Sequence, residues 1–159
     1  MKSCFFTGHR NVTVTEELLK RLKNEIIKLI ENGVCDFYAG GAIGWDILCE
    51  KTVIELRKKY PEIKLHLLIP CPYEQQTEKW NDIQKKEYYA VLKSAGSIDV
   101  LSKSYNKTCM KERNIRLTES GDVCLCYYDP KRSRSGTAQT VRNAEKKNII
   151  IINLFYTDP

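Results

Sequence analysis

Short apolar runs alternate along this chain with longer segments whose apolar residues recur every three or four positions. That is the pattern of β-strands interleaved with amphipathic helices. Ser3 to Phe6 reads as the first strand. From Thr13 to Asn32, Leu18, Leu22, Ile26 and Leu29 share one helical face with lysines opposite. Thr13 with Glu16 reads as a capping box, and Gly33 as the stop. Asp36 to Ala39 forms a second strand, and Trp45, Leu48, Cys49, Thr52 and Leu56 a second helical stripe ended by Pro61. Lys64 to Ile69, Ile98 to Leu101, Val123 to Tyr127 and Ile149 to Asn153 supply four more strands. Between them, helices are expected over 78–94, within 105–118 and over 136–147.

Strands separated by helix-length crossovers imply an α/β fold with a parallel sheet covered on both faces. The apolar runs Leu65 to Ile69 and Ile149 to Ile152 predict strands buried on both sides. At 159 residues the chain corresponds to one domain, residues 1–159, with no repeat or linker. No apolar run approaches a membrane span, and Met1 to Arg10 lacks the apolar core of a signal peptide. Seven cysteines at irregular spacing do not suggest a disulfide framework. A cytoplasmic protein without membrane partners is expected. The net charge of +6 permits a phosphate or nucleic-acid partner without demanding one.

In open parallel sheets, ligands bind beyond the carboxyl ends of the strands. The loops there are Thr7-Gly8-His9-Arg10, then Gly40-Gly41-Ala42-Ile43-Gly44-Trp45-Asp46, then Tyr105 through Arg113-Asn114, and finally Asp129 through Ser135-Gly136-Thr137. Two of them open directly onto helices. Gly40, Gly41 and Gly44 would let backbone N–H groups approach an anion, and Gly136-Thr137 repeats the device after Lys131, Arg132 and Arg134. One such loop is explained by a tight turn alone; two on one edge favour a phosphate between two helix N-termini.

Individual residues keep two readings. Arg10 clamps a phosphate or caps a helix. Asp46 binds a ribose hydroxyl or N-caps its own helix. Arg113-Asn114 reaches the crevice, or pairs at the surface with Glu112 or Glu119. Trp80 stacks on a base or packs in the core, and the run 131–134 is a ligand clamp or a solvated loop. Neither a G-x-G-x-x-G fingerprint nor a P-loop is present. Cys124 and Cys126 share one strand face, and no spacing suggests a metal site or a bound cofactor.

Thr7-Gly8-His9-Arg10, Gly40 through Asp46, Tyr60-Pro61, Ile69-Pro70-Cys71, Gln76, Trp80, Tyr105, Cys109-Met110, Arg113-Asn114 and Gly136-Thr137 with Thr140-Val141 and Ala144 carry a likeness. Together they resemble the YpsA-like branch of the SLOG superfamily, in order and over nearly the whole chain. The resemblance implies a three-layer Rossmann-like fold with strand order 3-2-1-4-5-6, whose switch point lies between strands one and four. It also implies a nucleotide-derived ligand. Related LOG phosphoribohydrolases cleave the base–ribose bond with a glutamate in a P-G-G-x-G-T-x-x-E signature. Here the glutamate position falls on Thr140, and Ser135 replaces a glycine.

Binding therefore leads over catalysis: a sensor, carrier or sequestering protein for a molecule of the ADP-ribose, NAD or cyclic-nucleotide class. An N-glycosidic hydrolase using Asp46 or Glu50 is the alternative, and single-stranded DNA binding, by analogy with the DNA-processing protein A family, a third reading. Contact is expected from Gly8, His9, Arg10, Gly40, Gly41, Ala42, Gly44, Trp45, Asp46, Arg113, Asn114, Ser135, Gly136, Thr137 and Thr140. An exposed sheet flank would allow two chains to pair as a homo-oligomer.

Overall fold

A computed structural model describes residues 2–156 of the chain. Six strands, β1 (Ser3–Gly8), β2 (Asp36–Ala39), β3 (Lys64–Ile69), β4 (Ser97–Val100), β5 (Val123–Tyr127) and β6 (Ile150–Asn153), form one sheet. Every neighbouring pair is parallel. The helices are α1 (Glu16–Glu31), α2 (Trp45–Leu56), the short α3 (Tyr73–Gln76), α4 (Asp82–Ser94), α5 (Cys109–Ser120) and α6 (Gly136–Lys146).

Side-chain alternation on the strands builds two cores. Cys4, Phe6, Phe37, Leu65, Leu67 and Leu125 point to one face, where α1, α2 and α4 bring Leu22, Ile26, Trp45, Val53 and Tyr88. Phe5, Leu68, Cys124 and Cys126 point to the other, under Leu117 of α5 and Val141 and Ala144 of α6. Helix, sheet and helix form the three layers of the Rossmann-like architecture, and six of the seven cysteines are buried as small apolar groups. No helix among the described residues is long and apolar enough to cross a membrane.

The strand order is 4-3-2-1-5-6. It differs from the expected 3-2-1-4-5-6 in one strand: β4 pairs with β3 at the outer edge, and β5 takes the place beside β1. Composition explains the exchange. β4 is Ser-Ile-Asp-Val and exposed along its length, whereas Val123 to Cys126 of β5 are wholly buried. The switch point therefore lies between β1 and β5, whose chains leave toward opposite faces.

Local departures have local causes. α1 is capped by Thr15, whose hydroxyl accepts the Leu18 N–H at 3.1 Å, rather than by Thr13. α4 starts at Asp82 rather than residue 78, behind a capping box of Asn81 and Gln84. β6 is a sheet edge, so Ile150 is 54% exposed and Ile151 and Ile152 are only partly buried, rather than buried on both sides.

Gly8 sits where β1 meets the α2 layer, and a β-carbon there would enter the Trp45 indole. Trp45 is fully buried and cannot retreat. Gly8→Ala is expected to destabilise the fold by about 1–3 kcal/mol, read as a lowered urea midpoint; an unchanged midpoint would contradict this packing.

Candidate functional site

At the β1/β5 switch point a cleft of about 320 Å³ opens. Gly8, His9 and Arg10 form one wall, Ala42 and Asp46 the floor, Arg113 and Asn114 of α5 a second wall, and Arg132 with Ser135, Gly136 and Thr137 a third. Three loops and one face of α5 thus converge on the predicted sheet edge.

The glycine loop before α2 is folded back onto its own helix. The Gly41 N–H donates to Glu50 Oε1 at 3.1 Å and the Ala42 N–H to Asp46 Oδ2 at 3.2 Å. The Trp45 N–H donates to the His9 carbonyl at 3.2 Å. Gly44 makes the corner at a φ of 84°, with the backbone of Arg10 so close that a side chain has no room. Three donors that an anion would need are already bound by the protein.

The loop before α6 is arranged differently. Ser135 caps the helix, its hydroxyl accepting the Ala138 N–H at 3.1 Å. The N–H groups of Gly136 and Thr137 have no acceptor among the described residues. Helices α1, α2, α4 and α5 each carry an acid in the first turn, whereas α6 carries none. Its positive end is therefore uncompensated and faces the cleft. Arg10 and Arg132, both exposed, have no carboxylate partner among the described residues.

The chain has relatives among known proteins. A profile described as the YspA SLOG family matches residues 4–157. The chain belongs to that family. It is 28% identical over 133 residues to the UPF0398 protein of Halalkalibacterium halodurans, covering 82% of this chain and 68% of that one. To the UPF0398 protein of Bacillus pumilus it is 31% identical over 126 residues, covering 76% and 67%. Among solved structures, DNA processing protein A from Helicobacter pylori, studied for its single-stranded DNA binding mode, superposes with a TM-score of 0.63 at 19% identity. That match covers 94% of this chain and 63% of the other, so this chain spans less than two thirds of that protein. The likeness is one of fold.

Of the residues expected at the site of this SLOG protein, Gly8, His9, Arg10, Ala42, Asp46, Arg113, Asn114, Ser135, Gly136 and Thr137 line the cleft. Gly40, Gly41, Gly44, Trp45 and Thr140 do not. Trp45 is fully buried beneath Gly8, and Thr140 is fully buried with its hydroxyl donating to the Gly136 carbonyl at 2.9 Å. Thr7, Asn11, Met110, Leu117 and Arg132 also line the cleft. The sequence signal for Arg132 was its basic loop and for Met110 its part in the family resemblance; for Leu117 it was only its place on α5.

His9 and Arg113 hold the walls together. His9 is 3% exposed, and its Nε2 accepts the Asp129 N–H at 2.9 Å, tying the β1 loop to the β5 loop. Burial, with Arg132 nearby, holds its pKa below the ordinary value, which keeps the imidazole neutral and fit to accept. Arg113 is 4% exposed, so the surface pairing with Glu112 or Glu119 does not form. Its Nη1 donates to the Gly40 carbonyl and its Nε to Asn114 Oδ1 at 2.8 Å.

Burial pushes the Asp46 carboxyl up to about 6, against the pull of Arg113, the loop N–H groups and Arg10. Burial, reinforced by Asp46, raises Glu50 well above the ordinary value, and its Oε2 has no partner among the described residues. A carboxyl that folding keeps protonated adds stability below its unfolded pKa near 4, and that contribution is lost as pH rises through 6. Asp46→Asn is neutral at every pH. Its stability relative to wild type should therefore rise between pH 4 and pH 7 by up to about 3 kcal/mol, measured by urea denaturation at both values. A difference independent of pH would show that Asp46 does not titrate in this range.

Proposed function

We propose that this protein binds a nucleotide-derived small molecule, of the ADP-ribose, NAD or cyclic-nucleotide class, with its phosphate seated at the N-terminus of α6. The observation that carries this reading is the pair of N–H groups at Gly136 and Thr137, without an acceptor among the described residues, on the one long helix described that has no acid in its first turn. Helix N-termini of this kind favour anions through both donors and dipole. Arg10 and Arg132 flank the same cleft and add charge, neither of them paired to a carboxylate within 4 Å among the described residues. Asp46 on the floor offers an acceptor for a ribose hydroxyl.

A binding role as sensor, carrier or sequestering protein fits the chemistry better than hydrolysis. Where a LOG enzyme has its glutamate, Thr140 is buried and bonded within α6, and a hydroxyl cannot serve as the acid or base. Asp46 is then the carboxylate left in the cleft for the alternative N-glycosidic reaction.

Single-stranded DNA binding is the second reading. It is supported by the exposed basic segment Lys131-Arg132-Ser133-Arg134 beside the cleft and by the fold shared with DNA processing protein A. Such binding would weaken steeply with salt.

Calorimetric titration with ADP-ribose separates these readings. Binding is expected, and Arg132→Ala should weaken it by roughly tenfold to a hundredfold, the effect of one charge-assisted hydrogen bond. Chromatography of the same mixture should show no free base. No heat with ADP-ribose, NAD or cyclic nucleotides, together with salt-sensitive binding of an oligodeoxythymidine, would overturn the first reading in favour of the second.

A further inference from the structure

A second depression, of about 570 Å³, adjoins the cleft on the side away from α6, and the two share Arg10. Its lining is unlike that of the cleft. Trp80 is half-buried, with its ring packed against Tyr88 at a centroid distance of 5.2 Å. Tyr105 is 63% exposed, and no ring stacks on it among the described residues. The Tyr105 N–H donates to Gln75 Oε1 at 2.6 Å, which ties the backbone of this loop to the groove.

Beside the Glu78 carboxylate, the groove presents mostly donors. Gln75 Oε1 is taken by Tyr105, and Gln84 Oε1 accepts the Asn81 N–H at 3.1 Å. The two amide NH2 groups and the Trp80 indole N–H are left without acceptors among the described residues. Aromatic faces with donors at their edge match an aromatic heterocycle bearing ring nitrogens and carbonyls. Arg10 stands between this groove and the anion cleft.

We propose that the groove around Trp80 and Tyr105 is the seat of a nucleobase, and that the ligand spans Arg10 with its phosphate in the cleft. This rests on the reading of the cleft as a phosphate site and narrows it. The ligand is a nucleotide extended through a pyrophosphate, with the base in the groove and the pyrophosphate reaching α6, rather than a compact nucleoside monophosphate held in the cleft alone.

The chain carries its own reporter. Of its two tryptophans, Trp45 is sealed in the core and Trp80 borders the groove. Titration of the full chain with ADP-ribose should change Trp80 fluorescence, and Trp80→Phe should abolish the change. Inorganic pyrophosphate should bind without it. Tyr105→Ala, at an exposed position that leaves the core intact, should weaken ADP-ribose about tenfold and leave pyrophosphate affinity unchanged. Pyrophosphate binding with no fluorescence response to ADP-ribose, and equal affinity of Tyr105→Ala for it, would overturn the base seat while leaving the phosphate cleft standing. Failure of both ligands would remove the cleft reading and the seat with it. A fluorescence response to an oligodeoxythymidine but not to ADP-ribose would overturn the small-molecule ligand in favour of a strand laid through the groove.

Discussion

The glycine loop between β2 and α2 is fastened from below by two carboxyls of the helix it precedes, and the site is built around that closure. Asp46 and Glu50 stand one turn apart on α2 and take the Ala42 and Gly41 N–H groups. Arg113 reaches in from the opposite face of the sheet to the Gly40 carbonyl, completing a buried cluster of one cation and two acids. Such a cluster tolerates little change, because removing one partner leaves a buried charge uncompensated. Leaving Glu50 protonated limits the charge to be buried.

This closure divides the labour between two helix ends that look alike in sequence. The N-terminus of α2 carries an acid of its own, Asp46, and the loop before it is fastened into a rigid floor. The N-terminus of α6 has a serine cap, two unused N–H groups and no acid of its own. A phosphate at α6 would therefore meet open donors, while at α2 it would meet the Asp46 carboxyl. Topology supplies the rest. With β5 beside β1, the chain leaves the two strands toward opposite faces, and the crevice between them is a consequence of the crossover directions.

Much of this was legible in the sequence. The strands and long helices follow from period changes, and the glycine, arginine and serine residues of the loops mark the edge of the sheet where the cleft opens. The place of β4 was not legible from a four-residue strand without context, although its serine and aspartate suit an edge. The division between the two glycine loops was missed because composition counts N–H groups without showing who binds them. The signal was present: Asp46 and Glu50 lie four residues apart and share a helix face directly behind the loop, while the first acid of α6 after Gly136 is Glu145. Trp45 was misplaced for a related reason. A tryptophan at a helix start beside glycines looks accessible until Gly8 is seen to make room for it in the core.

The most direct measurement is a titration of 15N-labelled protein with ADP-ribose, following the backbone amides. The account predicts the largest shifts at Gly136 and Thr137, with Gly41 and Ala42 nearly still because their N–H groups remain on Glu50 and Asp46. Large shifts at Gly41 and Ala42 with Gly136 and Thr137 unmoved would contradict it, placing the anion at the wrong helix.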